Sequence, residues 1–244
     1  MQPAPPMSAS ATETLQAHSN QVTSQDIIFP PGDLYSDELP LESYLHLQQL
    51  MLLLSCLNWL WKDRADYFAA GNLTVYYSPT QSKSEDFRGP DFFVVLGTER
   101  KPRKSWVVWE EGGKYPNVIV ELLSDSTAAT DRGLKKEIYQ DIFRTLDYFW
   151  FDPQSLEFQG FHLVDGVYEA LEPNEQGQLW SQQLQLFLGI REGQLRFFTA
   201  NGQLIESPEE IAVQATEAVA AERQRNEKLV AKLRELGVDP TEVV

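Results

Sequence analysis

The sequence predicts a mixed α/β domain with a central β-sheet and a separate C-terminal helix. Short runs rich in branched and aromatic residues, such as Val118 to Leu123, have the composition of buried strands. Segments with apolar residues at helical spacing alternate with these runs along the chain, which favours helices packed on a sheet. A chain of 244 residues suits one domain of ordinary size with tails.

The first half of the chain predicts one long helix followed by strands. The helix is expected at about residues 43–68, after the turn Pro30-Pro31-Gly32. Gly71-Asn72 predicts a turn into a strand at residues 73–77, and a charged loop then leads to a strand from Asp91 to Leu96. Four cations follow this strand, at Arg100, Lys101, Arg103 and Lys104.

The second half begins with the strand at residues 118–123, and a helix follows at about residues 131–146. Leu134, Ile138 and Ile142 keep the helical period there. A strand is expected at residues 148–151, and the glycine-punctuated stretch 156–198 predicts hairpins.

The composition divides the chain into three parts. Residues 1–25 are expected to be a disordered tail, residues 26–206 the α/β domain, and residues 207–244 a helical extension. The first twenty residues lack a basic segment followed by an apolar one, so they do not predict a signal peptide. The apolar window at residues 50–61 is too short to cross a bilayer, which needs about 20 residues.

The extension begins at Ser207-Pro208-Glu209-Glu210, which is typical of a capped helix start. Its seam residues alternate four and three apart, as in a coiled coil; they are Ala215, Val219, Glu222, Asn226, Leu229, Leu233 and Leu236. Two interpretations stay open, a helix that self-associates and a solvated amphipathic helix that folds against its own domain.

Charge and cysteine content limit the partners and the compartment. The chain carries 36 acidic and 20 basic residues, a formal charge of −16. This charge opposes broad binding of polyanions and argues against a nuclease, although metal ions at an acidic site invert the local field. The single cysteine, Cys56, cannot form an intramolecular disulfide, which indicates a reducing compartment and a cytoplasmic location.

Glu121 is the strongest candidate functional residue, because it interrupts a strand that otherwise reads as fully buried. A buried carboxylate requires a cation, a metal or a reaction to compensate it. Asp91 opens the neighbouring strand in sequence, while Asp131, Lys135 and Tyr139 share one face of the following helix. Two acids and a lysine arranged in this way are typical of a metal-dependent phosphodiesterase site.

Each of these residues could also have a purely structural role. Asp91 could cap a turn after Pro90, and Lys135 could be an i, i+4 partner of Asp131. Glu121 could face solvent on an edge strand.

Four motifs stand in order along the chain. They are Gly89-Pro90-Asp91, Val118-Ile119-Val120-Glu121-Leu122-Leu123-Ser124 with Thr127, Asp131-Arg132-Gly133-Leu134-Lys135 with Tyr139, and Tyr148-Phe149-Trp150-Phe151-Asp152-Pro153. Together they resemble the Uma-type family of putative restriction endonucleases. The resemblance covers about residues 33–198. It implies a PD-(D/E)XK nuclease with a restriction-endonuclease-like core, a central mixed sheet flanked by helices, and DNA cleavage that depends on Mg²⁺ or Mn²⁺.

The resemblance also assigns roles to residues. Asp91 matches the PD aspartate and Glu121 the central acid, which makes both of them metal ligands as well as catalytic residues. Leu123 stands where the superfamily usually has lysine, and Lys135 matches the displaced lysine of the family. Asp125 departs from the usual proline of the family, and an acid there could disturb the metal or the approach of DNA. Glu42 is a further candidate metal ligand, with a helix-dipole role as its alternative.

Three functions therefore compete. The first is a Mg²⁺-dependent DNA endonuclease with Asp91, Glu121 and Lys135 as its catalytic residues, in which the cations from Arg100 to Lys104 either contact phosphate or are simply solvated. The second is a catalytically inactive nuclease-fold protein that acts as an interaction or assembly module. The third and weakest is a glycoside hydrolase that uses Asp91 and Glu121.

Overall fold

The computed structural model describes residues 43–77, 87–124, 128–237 and 239. The expected tail at residues 1–25, Glu42 and Asp125 lie outside the described residues. The strands of the described ranges are β1 Tyr67–Gly71, β2 Val75–Tyr76, β3 Phe87–Arg88, β4 Phe92–Leu96, β5 Trp106–Val107, β6 Val118–Leu122, β7 Asp147–Phe151, β8 Phe158–Val164, β9 Val167–Ala170, β10 Leu179–Ser181, β11 Leu186–Arg191 and β12 Gln194–Phe198.

A six-stranded mixed sheet forms the centre of the domain. Its strand order is β1-β4-β6-β7-β8-β9, in which only β6 and β7 pair in parallel. The connection between these two strands carries the helix of residues 128–143, as a parallel pair requires. β10, β11 and β12 form a second, antiparallel sheet, and β2 joins β3 and β5 in a third. The predicted α/β class with a central mixed sheet and a terminal helix is confirmed.

Strand residues alternate between the two faces of the central sheet, and each face has its own core. On one face, side chains such as Val118, Val120 and Leu122 pack against the first helix, Tyr44–Leu60, and against the β10–β12 sheet. On the other face, Ile119 and Leu123 pack with aromatic residues of the helix at 128–143. Alternation therefore places every second residue of β6 toward that helix.

The first helix is shorter than the sequence predicts. It ends at Leu60, and residues 67–71 form β1, which pairs with β4 in antiparallel register. The prediction of a helix to residue 68 was wrong because the apolar run at Tyr67 and Phe68 gains burial by strand pairing, a tertiary effect that local periodicity does not report. Asn72 bends the chain after β1, in the left-handed region at φ 46°, while Gly71 itself belongs to β1 and the strand predicted at residues 73–77 is limited to Val75–Tyr76.

The middle helix, residues 128–143, contains two turns with π-type hydrogen bonding, at Asp131–Lys135 and Tyr139–Phe143. It ends three residues before the predicted boundary, because Arg144 adopts a left-handed conformation at φ 55°. Turns of this kind often occur at functional sites, since they change the direction in which side chains leave the helix.

The terminal helix, Pro208–Glu235, has the predicted capping box, in which Ser207 and Glu210 satisfy each other's backbone N–H groups. Its first turn is also held by the guanidinium of Arg196, which donates to both carboxylate oxygens of Glu210 at 2.9 and 2.6 Å. Arg196 is buried, so this ion pair fixes the base of the helix to the domain. In the part of the chain that the structure describes, no helix is long and apolar enough to span a bilayer.

Replacing Glu210 by glutamine should lower the free energy of unfolding by about 2 kcal/mol, because it leaves the buried Arg196 charge uncompensated. The hydrogen bond from Arg196 holds the pKa of Glu210 below its ordinary value. The contribution of Glu210 should therefore be complete above its unfolded pKa and be lost as pH falls through the folded one. Urea unfolding from pH 3 to pH 7 measures both effects, and the exposed neighbour Glu209→Gln is the control. Equal losses in the two variants would contradict this role.

Candidate active site

Glu121 lies on β6, in the interior of the central sheet, and its side chain is fully buried. Its position in β6 turns it to the same face as Ile119 and Leu123, toward the middle helix. The edge-strand interpretation of Glu121 is therefore excluded by its position.

Asp91 lies directly across from Glu121. The antiparallel register pairs Phe92 with Val120, so one further step places Asp91 opposite Glu121 on the same face. Asp91 accepts a hydrogen bond from the backbone N–H of Leu122 at 2.7 Å, and its own N–H donates to Glu121 Oε2 at 3.2 Å. Asp91 thus contacts a strand 31 residues away in sequence, rather than merely capping its own turn.

Lys135 and Tyr139 reach Glu121 from the middle helix. Lys135 Nζ lies 3.3 Å from Glu121 Oε2 and 2.7 Å from Asp131 Oδ1. Tyr139 donates its hydroxyl hydrogen to Glu121 Oε1 at 2.6 Å. The ion pair with Asp131 and the contact with the strand acid therefore exist together, so the two interpretations of Lys135 are not alternatives.

The supporting roles of two residues were missed from the sequence. Tyr148 on β7 donates to the backbone carbonyl of Asp131 at 2.9 Å and so anchors the middle helix beside the acids. His46 Nε2 lies 2.9 Å from the carbonyl oxygen of Leu122, and because that oxygen can only accept, Nε2 must donate. The contact joins residues 76 positions apart, which no local spacing reveals.

The site places two carboxylates, on Glu121 and Asp131, in contact with the ammonium of Lys135, and a third, on Asp91, beside Glu121. Burial raises the pKa of Asp91, and burial together with the nearby Asp91 charge raises the pKa of Glu121 to about 7, against the opposing effect of Lys135. Burial alone would lower the pKa of Lys135, but the surrounding carboxylates raise it, so the ammonium stays charged. The cluster therefore carries excess negative charge whenever Glu121 ionises.

The raised pKa of Glu121 predicts that the stability of the metal-free protein depends on pH. Because Glu121 binds its proton more tightly when folded, stability should fall as pH rises from its ordinary pKa of 4.5 to about 7. The loss should be on the order of 3 kcal/mol. Glu121→Gln should remove this loss, since the amide cannot ionise. Chemical unfolding with a chelator at pH 5 and pH 8 measures it.

The matched control is Glu137→Gln, which removes an exposed carboxylate from the same helix. That variant should keep the pH dependence of the wild type. If Glu121→Gln and the wild type lose stability in parallel, Glu121 is not the group that takes up the proton.

The cations at residues 100–104 lie away from these acids. Asp91 precedes β4 and Arg100 follows its other end, so the strand separates them. Arg100 donates to carbonyls after the first helix, including Trp61, and Arg103 forms an ion pair with Glu111 at 2.5 Å. Both arginines are therefore engaged in contacts within the protein that hold this loop in place.

A potential metal site here has two carboxylates from neighbouring strands as its core. Within residues 43–77, 87–124, 128–237 and 239, no group of three or more His, Cys, Asp or Glu side chains is arranged to hold a metal ion. Two protein carboxylates suffice for Mg²⁺, which keeps several waters and takes further ligands from a substrate phosphate.

A mixed sheet with paired acids on two neighbouring strands, and a lysine that reaches them from the adjacent helix, is the arrangement expected of a nuclease. The chain belongs to the Uma2 family, described as "Putative restriction endonuclease", whose model matches residues 21–191. The family points to a nuclease with a nucleic-acid substrate.

Among solved structures, the chain is similar to a putative nuclease of the DUF820 family from Anabaena variabilis. The two are 14% identical with a TM-score of 0.44, over 59% of this chain and 76% of that one. No curated protein matches significantly.

Proposed function

We propose that the protein is a metal-dependent DNA endonuclease that hydrolyses phosphodiester bonds, with Asp91, Glu121 and Lys135 as its catalytic residues. The observation that carries the proposal is the convergence of two acids from adjacent strands and one lysine on a single buried face. Family membership supports the reaction class. We place this activity in the domain at residues 26–206.

The donor set fits a hard divalent cation such as Mg²⁺ or Mn²⁺. Asp91 and Glu121 supply carboxylate oxygens, the ligands that these ions prefer. Three carboxylates against one ammonium also leave negative charge that a bound cation would neutralise. When bound, the ion would lower the pKa of a water and offset charge on the phosphate oxygens.

The remaining residues would orient these groups. Tyr139 holds Glu121 Oε1, so the glutamate has a fixed rotamer and directs its second oxygen toward Asp91 and Lys135. Lys135 is held by Asp131 at one side and would bring positive charge to the phosphate undergoing attack. Asp91 and Glu121 contact each other through the backbone N–H of Asp91, which donates to Glu121 Oε2 at 3.2 Å, and nothing in the described residues favours a glycoside hydrolase.

Nicking of supercoiled plasmid is the direct test. Cleavage should appear with Mg²⁺ or Mn²⁺, and a chelator should suppress it. Asp91→Asn should remove it as well, while an exposed control such as Asp141→Asn should cleave like the wild type. Cleavage that persists in a chelator would contradict metal dependence.

A catalytically inactive nuclease-fold protein is the second candidate. The charge of −16 and the solvent-exposed terminal helix favour it, because the first repels DNA and the second is available for assembly. Calorimetric titration separates the candidates. Absence of Mn²⁺ binding, together with unchanged stability on mutating Asp91, would favour the assembly module.

The single free cysteine is consistent with a reducing compartment such as the cytoplasm. Cys56 is buried, and burial raises the pKa of its thiol to about 11, so the reactive thiolate is suppressed. We therefore assign the thiol a packing role and propose a cytoplasmic location.

A further inference from the structure

The terminal helix leaves an apolar seam uncovered beyond its first turn. Val219, Leu229 and Leu236 are 69%, 53% and 68% exposed, and no residue of the helix is buried. The seam positions alternate three and four residues apart; they are Ala212, Ala215, Val219, Glu222, Asn226, Leu229, Leu233 and Leu236. A seam of this period matches the facing side of a second helix.

We propose that two copies of this chain pair through their terminal helices in an antiparallel arrangement centred on residue 224. In this register Glu222 of one copy faces Asn226 of the other, and an amide can donate to a carboxylate. Val219 faces Leu229, and the small Ala215 faces Leu233. One register therefore pairs polar with polar and small with large residues along the whole exposed helix.

Other arrangements of the same seam fit worse. A parallel pair in register stacks Glu222 on Glu222, which places like charges in a closed interface. Shifting the antiparallel pair by one heptad places Glu222 against Leu233, or against Val219 in the other direction, and leaves its carboxylate without a polar partner. Glu222 and Asn226 thus favour this antiparallel register over the alternatives, although polar residues in the seam also lower the stability of the pair.

The charges beside the seam neither select nor exclude the antiparallel register. Arg223 and Arg225 flank the centre of the helix and are exposed, and Arg223 pairs with Glu227 of its own helix at 3.1 Å. When two copies pair about residue 224, Arg223 of one copy lies opposite Arg225 of the other, with Glu222 and Glu227 close by. Exposed charges of this kind contribute little, so the register depends on the residues within the seam.

This geometry separates the two domains. Each domain joins its helix at Pro208, so the two attachment points would lie about 48 Å apart, from a rise of about 1.5 Å per residue. The pair would therefore act as a tether and would not join the two domains into one site. The inference is independent of whether either domain cleaves DNA.

Cysteine cross-linking tests the register in the full chain. Val219→Cys and Leu229→Cys proteins, mixed and oxidised mildly, should form a disulfide heterodimer, while neither should form a homodimer alone. Cys56 is buried and should not contribute. Homodimers from either protein alone would overturn the antiparallel arrangement, and no cross-link in the mixture would overturn the proposed register.

Light scattering tests the pairing itself. At roughly 100 μM the wild type should be dimeric, since a short seam with alanine layers should bind with micromolar affinity. Leu229→Lys should be monomeric, whereas Ala231→Lys, on the outer face, should stay dimeric. Circular dichroism should show the terminal helix retained in both variants. A monomeric wild type, or equal masses for both variants, would contradict self-association through this seam.

Discussion

Glu121→Gln should reduce metal-dependent cleavage by about 10³-fold or more, because an amide cannot neutralise a divalent cation and several kcal/mol of stabilisation would be lost. Gln keeps the shape of the side chain and can still accept the hydrogen bond from Tyr139, but its amide nitrogen then faces the N–H of Asp91 and the ammonium of Lys135, which also donate. The variant should therefore fold with some loss of stability at pH 5 and show no further loss toward pH 8. Loss of activity in a folded variant that lacks the pH dependence of the wild type would separate a functional role from a structural one.

The measurement is the rate of plasmid nicking at saturating Mg²⁺, with thermal unfolding on the same samples. Tyr139→Phe is a useful companion, because it removes only the hydrogen bond to Glu121 Oε1 and keeps both acids. It should cleave more slowly than the wild type and faster than Glu121→Gln. Cleavage by Glu121→Gln at the wild-type rate would remove Glu121 from the proposed chemistry.

Lys135→Met should have the second large effect, on both stability and activity. The substitution leaves buried Glu121 and Asp131 without their ammonium partner, which should cost about 3–5 kcal/mol at pH 8. The cost should shrink toward pH 5, where Glu121 takes up a proton. Cleavage should fall roughly 10²–10³-fold, the range for removing one donor to a developing negative charge.

The adjacent Lys136 provides the matched control. Its ammonium lies over the ring of Phe161 at 3.5 Å from the centroid, away from the acids. Lys136→Met should cost at most about 2 kcal/mol and leave cleavage unchanged. Millimolar Mn²⁺ should restore part of the stability of Lys135→Met, since the cation replaces the missing positive charge. Equal effects of the two substitutions would show that Lys135 has no special place in the site.

The site residues could be predicted because their chemistry conflicts with their surroundings. A glutamate in a run of branched apolar residues is unfavourable unless the fold supplies partners, and the sequence offered Asp91 and Lys135 at plausible positions. The structure brings these groups together, whereas their binding of a metal remains a proposal.

The remaining contacts depend on tertiary structure and leave little trace in the sequence. Tyr67 and Phe68 lie a few residues after the end of the first helix and are equally apolar, and their pairing with β4 makes them a strand. The contact from His46 to Leu122 likewise depends on how the first helix crosses the sheet. Helix capping at Ser207 was predictable, because a capping box is a local arrangement of four residues.

A crystal soaked in Mn²⁺ would show whether Asp91 and Glu121 together hold a divalent cation beside Lys135. We expect one anomalous peak in contact with both carboxylates in the wild type and none in Glu121→Gln. A wild-type crystal with no peak there, while both acids keep their contacts with Leu122 and Tyr139, would contradict this expectation.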